Sequence, residues 1–185
     1  MKRTSRLIAC LIVISLSIAC IAWTPWGSIY ESARDERSVT QQADDKRISL
    51  DIKAQMADRD SGKALQVHAY CFVGQVYLVG AINDTAFRDF AVKTAKSIKG
   101  VKGVKTHFVK ETDTTAADLE IAASVRANLI AEGDLSATQI ETEVMNGEVV
   151  MVGMVRSKAD AQLAVKVAKG TGDVRKVTSY LIPPK

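Results

Sequence analysis

Three cysteines in 185 residues, two of them within the first twenty, are too few for a disulfide scaffold, and no pair has the CxxC spacing of a zinc site. Two histidines, His68 and His107, leave little from which to build a histidine metal centre or a catalytic triad. Aromatic residues make up 5% and prolines number three. The hydrophobic fraction of 47% and the charged fraction of 25% are those of ordinary globular chains, which excludes wholesale disorder, collagen-like repeats and a long coiled coil. The length suits one ordinary domain or two small ones. A net charge of +4 and a pI of about 9.0 raise a nucleic-acid or anionic-membrane partner, depending on where the charge sits.

Much of the excess charge sits at the front. Lys2, Arg3 and Arg6 precede an apolar run from Leu7 to Trp23 that only Ser15 and Ser17 interrupt, the pattern of an export signal. Such a run spans about 25 Å as a helix, at the short limit for a ~30 Å hydrocarbon core. The sequence LSIAC, ending at Cys20, resembles a bacterial lipobox, with Ser17 where Leu is usual. Lipidation at Cys20, an uncleaved anchor, and cleavage to a soluble form are the three outcomes this segment allows. Each places the rest of the chain outside the cytoplasmic membrane, and Ile21 after the cysteine, rather than Asp, favours an outer membrane if Cys20 is lipidated. Residues 1–26 are therefore expected to be a signal peptide or anchor and residues 27–43 a polar tether. Without Lys2, Arg3 and Arg6, 22 bases face 21 acids, so the mature chain is nearly neutral.

The remainder is a repeat. Residues 48–109 match 121–182 without a gap at an offset of 73, with 16 of the 62 pairs identical. Two copies are too few for a solenoid, so each must fold as a small domain. In each copy Ile48, Ile52 and Met56, or Ile121, Val125 and Leu129, recur every four residues and predict an amphipathic helix. Thr115 and Asp118 read as a capping signal for the second of these helices. Alternating Val67, Ala69 and Cys71, then a turn at Gly74, then Val76 to Gly80 predict a β-hairpin. The second copy has the same hairpin around Asn146-Gly147, running to Gly153. A second helix follows, with Phe87, Phe90, Ala91, Thr94, Ala95 and Ile98 on one face, and its counterpart opens on the capping box Ser157 to Asp160. Each copy closes on a short strand, Val104–Val109 or Val177–Ile182. The expected architecture is α+β: two tandem αββαβ domains, 44–110 and 117–183, joined by a linker at 111–116, each with a three-stranded sheet and two helices on one face.

These motifs resemble the BON domain. The hairpin Val73-Gly74-Gln-Val76-Tyr-Leu78-Val-Gly80, then Ala91 and Ala95, then Gly100-Val101-Lys-Gly-Val104 carry the resemblance in the first copy. Asn146-Gly147-Glu-Val149-Val-Met151-Val-Gly153, Ala164, Ala168 and Asp173-Val174-Arg-Lys-Val177 carry it in the second, with Asp173 where the family has Gly. The doubling is similar to that of the dual-BON outer-membrane lipoproteins of the DolP type and of osmotically inducible periplasmic BON proteins. The resemblance implies a non-enzymatic envelope protein that supports outer-membrane integrity, including under osmotic or envelope stress. It also implies anionic phospholipid binding through the first helix of the second domain, which here carries Glu120 and a single base, Arg126.

The residues themselves offer further candidates. The first copy holds 11 bases against 7 acids and the second 7 against 9. Lys93, Lys96, Lys99, Lys102 and Lys105 fall at three-residue steps and form a candidate anionic-lipid stripe, or the solvated face of a helix. With Val67, Ala69, Cys71, Val76 and Leu78 facing the helices, the other sheet face shows His68, Tyr70, Phe72, Tyr77 and Val79. The second copy shows Met145, Val150, Val152 and Met154 beside Glu141 and Glu143. An apolar outer face on a small open sheet predicts a contact surface, either between the two domains or toward a protein partner, a second copy or lipid. A soluble periplasmic chaperone or adaptor that holds clients on this face is the alternative function. Cys71 reads as a buried hydrophobe. Gly74, Gly80, Gly147 and Gly153 read as backbone-geometry positions, with no phosphate-binding loop around them. No pair of groups suits acid–base or nucleophilic chemistry, and no cofactor, metal or nucleic-acid partner is expected.

Overall fold

The structure is a computed structural model that describes residues 38–133, 135 and 139–184. The expected signal or anchor, residues 27–37 of the expected tether, and Cys20 lie outside the described residues. The first domain runs α1 (Val39–Arg59), α2 (Ser61–Ala64), β1 (Val67–Phe72), β2 (Gln75–Ala81), α3 (Thr85–Ser97) and β3 (Gly103–Val109). The second repeats it as α4 (Thr115–Ala131), β4 (Ile140–Met145), β5 (Glu148–Met154), α5 (Lys158–Gly170) and β6 (Lys176–Ile182). Each sheet has three strands, in the orders β1-β2-β3 and β4-β5-β6, with the hairpin antiparallel and the last strand parallel to the central one. The expected αββαβ architecture is present twice, with the short α2 added in the first copy.

Local signals account for the elements. Ser38 starts α1 by accepting the Gln41 amide at 3.1 Å, so this helix begins within the stretch that reads as tether. Asp84 caps α3 at the Phe87 amide, 2.9 Å away, and Ser157 caps α5 by accepting the Asp160 amide at 3.0 Å while its hydroxyl donates to the Asp160 carboxylate at 2.9 Å. Four-residue spacing puts Ile48, Ile52 and Met56 of α1, and Ile121, Val125 and Leu129 of α4, under their helices. In the first domain these meet Val67, Ala69, Cys71, Val76 and Leu78 from the sheet and Phe87, Ala91 and Ala95 from α3 in one core. The second core is its counterpart. At Gly80 and Gly153 any Cβ would collide with the backbone carbonyl of Gln66 or Gln139, so glycine lets the strand before the hairpin lie close.

Both hairpin turns have positive φ at each central residue, 54° and 78° at Val73-Gly74 and 56° and 71° at Asn146-Gly147, the form whose twist suits a two-residue hairpin. A β-branched residue such as Val73 is strained there. One aspartate in each domain compensates. Asp45 of α1, 2% exposed, accepts the amides of Val73 and Gly74 at 2.8 and 2.9 Å, and the Cys71 thiol donates to it at 3.3 Å. Asp118 of α4 accepts the amides of Asn146 and Gly147, each at 2.8 Å, and the Thr114 hydroxyl at 2.7 Å. Asp118 thus does not cap its own helix, whose N-cap Thr114 makes no side-chain capping bond. Its carboxylate reaches past the helix end to the turn.

Burial raises the Asp118 pKa, but the bonds from Thr114, Gly147 and Asn146 and the nearby Arg175 together hold it below the ordinary value. Its contribution to stability is therefore complete above the unfolded carboxylate pKa near 4 and is lost as pH falls through the lower folded value. Asp45→Ala and Asp118→Ala should each lower unfolding free energy by about 1–3 kcal/mol in urea titrations, with Asp45→Ala the more damaging because its amides are more deeply enclosed.

Candidate functional site

The outer sheet faces do not meet solvent; they meet each other. Phe72, Tyr77 and Val79 from the first domain and Met145, Val150 and Val152 from the second form one buried cluster, flanked by Tyr70, Ala81, Val109, Met154, Tyr180 and Ile182. Tyr77 is 3% exposed, and Val79, Val150 and Val152 are at 0%. Stacking the two sheets removes both apolar faces from water. This fills the face that a chaperone would have needed, and the client-holding alternative loses its surface. Tyr70, Phe72, Tyr77, Val150, Val152 and Met154 are therefore placed in an internal, domain–domain contact.

Nearly every member of this contact sits 73 residues from another member: Phe72 with Met145, Tyr77 with Val150, Val79 with Val152, Ala81 with Met154, Val109 with Ile182. Two such counterparts touch directly. The Tyr70 hydroxyl donates to Glu143, and His107 Nδ1 lies 3.3 Å from the Tyr180 hydroxyl. Like sheet faces turned to each other with counterparts in contact is the arrangement found beside a local twofold axis, so the two domains are related as in a symmetric dimer.

The polar rim of this contact uses both histidines. His68 Nδ1 is 3.1 Å from Glu143 and His107 Nε2 is 3.2 Å from Glu148, each pair crossing between domains. Lys176 and Thr178 also bind Glu148, at 2.8 and 2.7 Å. Burial lowers the His107 pKa, Glu148 opposes that, and Lys176 adds to it, for a net fall. Burial and the Glu143 charge push the Tyr70 hydroxyl well above its ordinary value, which keeps it a donor.

The five lysines do not form one stripe. All are exposed, but β3 alternates, so Val104 and Phe108 face the helices while Lys105 turns to the opposite side. There its ammonium stands 5.7 Å from the Tyr77 ring centre and 5.8 Å from that of Tyr180, at the edge of the domain contact. Lys93 and Lys96 remain on α3, with Lys99 and Lys102 in the loop after it; the Lys99 carbonyl accepts from Arg47 at 3.1 Å. Arg126 is half-buried and donates to the Ile140 carbonyl at 2.9 Å, tying α4 to β4 rather than projecting to a membrane. Gly74 and Gly147 occupy the two clamped turns. Cys71 is buried.

The sheet order, the doubled clamp and the paired glycines agree with the comparison to known proteins, in which the BON domain matches twice, over residues 44–110 and 117–182. The chain belongs to the BON-domain family. Its BON domains are similar to those of osmotically-inducible protein Y of Escherichia coli K12, 29% identical over 144 residues that cover 75% of this chain and 72% of that protein. Outer membrane lipoprotein DolP of Haemophilus influenzae is 27% identical over 157 residues, covering 80% and 81%. The 21 kDa hemolysin of Actinobacillus pleuropneumoniae is 24% identical over 152 residues, covering 80% and 78%.

Sequence reasoning missed the clamp between helix and turn in each BON domain. Asp45 and Asp118 are themselves 73 apart, so extending the repeat by three residues would have revealed them. Two measurements test the domain contact. Val150→Asp buries an unpaired carboxylate between the sheets at a cost of several kcal/mol, and small-angle scattering should show the two BON domains separating while each keeps its helical circular dichroism. Because the folded His107 pKa is depressed, its share of stability is present above about pH 6.5 and is lost as pH falls toward the folded value. Unfolding titrations should show that loss in the wild type and a smaller one in His107→Gln.

Proposed function

We propose that the chain is a non-enzymatic cell-envelope protein that meets an anionic phospholipid surface and helps to maintain the outer membrane, including under osmotic stress. The names of its relatives, an outer membrane lipoprotein and an osmotically inducible protein, support this setting, as does the signal-like start of the chain. The observation that carries the lipid reading is the outward side of α4. Ala116, Leu119, Ala123, Ala127 and Ile130 recur at steps of three and four and are all exposed, Leu119 at 66% and Ile130 at 61%. Glu120 and Arg126 flank this stripe on either side, Arg126 with its guanidinium turned to the Ile140 carbonyl. Surface helices ordinarily turn a charged face to water, and α1 does so with Lys46, Arg47, Asp51 and Lys53. An uncharged, small-and-aliphatic face suits shallow contact with a bilayer surface.

The exposed Lys93, Lys96, Lys99 and Lys102 of the first domain supply the attraction to anionic headgroups, about 1 kcal/mol each near such a surface. Cys20, if lipidated, holds the protein at the outer membrane. Flotation of residues 27–185 should recover more protein with phosphatidylglycerol-containing vesicles than with phosphatidylcholine alone. Leu119→Glu with Ile130→Glu should cut that recovery about fivefold or more, and Lys93→Glu, Lys96→Glu and Lys99→Glu together should remove the preference for anionic vesicles. Equal recovery from every mixture by every variant would overturn the lipid reading. Fatty-acid labelling of the wild type but not of Cys20→Ala would establish the tether.

A further inference from the structure

A groove of about 280 Å³ opens where the two domains adjoin, between the start of β1, the linker, α4 and β4. Leu65 on its first-domain bank is 82% exposed, and Leu119 on the α4 bank is 66% exposed. Between them lies the free edge of β4, since the sheet order leaves that strand with one neighbour. The hairpin turn fixes which groups point outward. In a two-residue hairpin the flanking pair Met145 and Glu148 is hydrogen-bonded, so Glu143 and Glu141 also bond across to β5. Ile140, Thr142 and Val144 therefore turn their amide and carbonyl groups to the outer edge.

Two neighbouring groups on that edge are already used. Arg126 occupies the Ile140 carbonyl, and Asp118 takes the Asn146 amide. Among the described residues Thr142 and Val144 are left with two N–H and two C=O groups, and both residues line the groove and are half-buried. Their counterparts in the first domain, Ala69 and Cys71, are buried at 1% and 6%. An open strand edge flanked by apolar side chains has a specific complement, an extended backbone that adds as a strand.

We infer that the β4 edge is a docking site for an extended polypeptide segment that places an apolar side chain against Leu119 and Leu65 and a basic one near the rim. Charge and position both select this occupant. The ionisable lining is Glu111, Asp118, Glu143 and His68, with no lysine or arginine among the described residues. Asp118 is engaged by the turn and Glu143 by Tyr70 and His68, which leaves the exposed Glu111, whose carboxylate accepts from Gln66 at 2.9 Å, to meet a cation. The groove is also continuous with the established contact between the domains, through His68, Glu143 and Met145, so a strand seated there touches both. The site shares Leu119 with the outward face of α4 proposed to meet lipid, but Leu65, Glu111 and the β4 edge lie outside that face, so their variants distinguish the two readings.

The test uses the full chain in phosphatidylcholine nanodiscs with a capped heptapeptide of alternating valine and lysine, followed by amide hydrogen exchange. Saturating peptide should slow exchange at the Thr142 and Val144 amides by about tenfold or more. Thr142→Pro removes an outward N–H without touching the β5 ladder and should abolish the effect. Leu65→Glu and Leu119→Glu, at exposed positions that leave the fold intact, should each weaken peptide binding about fivefold, as should Glu111→Lys. Unchanged exchange at Thr142 and Val144, or peptide binding indifferent to both leucine variants, would overturn the inference. So would slowing of those amides by phosphatidylglycerol nanodiscs without peptide.

Discussion

One carboxylate per domain, carried by the first helix and spent on the amides of the hairpin turn, holds this structure in register. A type of turn that forces two residues to positive φ presents two adjacent amides, and those amides need an acceptor once a helix covers them. Asp45 and Asp118 supply it from helices that would otherwise be free to slide along the sheet. With the helix fixed, the side of the hairpin that holds Val76 and Leu78, or Val149 and Met151, is committed to the core. The other side is then committed to whatever lies beyond the sheet. The paired sheets, the strand edge at β4 and the outward face of α4 all follow from where that one bond puts the first helix.

What lies beyond each sheet is the other sheet. A domain of under seventy residues has a small core and leaves a large share of its apolar surface uncovered. Two such domains in one chain cover each other, and the contact is in effect a third core made from strand faces alone. Its rim is where the polar contacts between the domains concentrate, with His68 and His107 from one domain set against Glu143 and Glu148 from the other. With the sheet faces packed on each other, the surfaces left for other molecules on the described residues are helix faces and strand edges.

Much of this was legible in the residues. The repeat, the period changes, the glycine turns and the capping box at Ser157 reproduce the element order, because each rests on local chemistry. Other features were beyond local reading. Asp118 stands where a capping residue would, and only the folded hairpin shows that its carboxylate is drawn away to Asn146 and Gly147. The lysine spacing of three looks continuous from Lys93 to Lys105, yet a helix ends and a strand begins inside it, and the change of period sends Lys105 to the far side of the sheet. Arg126 reads as a surface base until the Ile140 carbonyl is seen within its reach. An apolar sheet face announces a contact but does not say with what, and here the answer lay 73 residues along the same chain.

That offset has a consequence for the residues on the axis. In a true homodimer a position at the twofold faces an identical copy, so a donor must face a donor and an acid an acid. Covalent linkage of the two domains lifts this requirement. Tyr70 can face Glu143, and His107 can face Tyr180, because the two halves of the axis are free to differ in sequence while keeping the same shape. The chain keeps the packing of a symmetric pair and gains, at the rim of the contact, hydrogen bonds between unlike residues at matching positions.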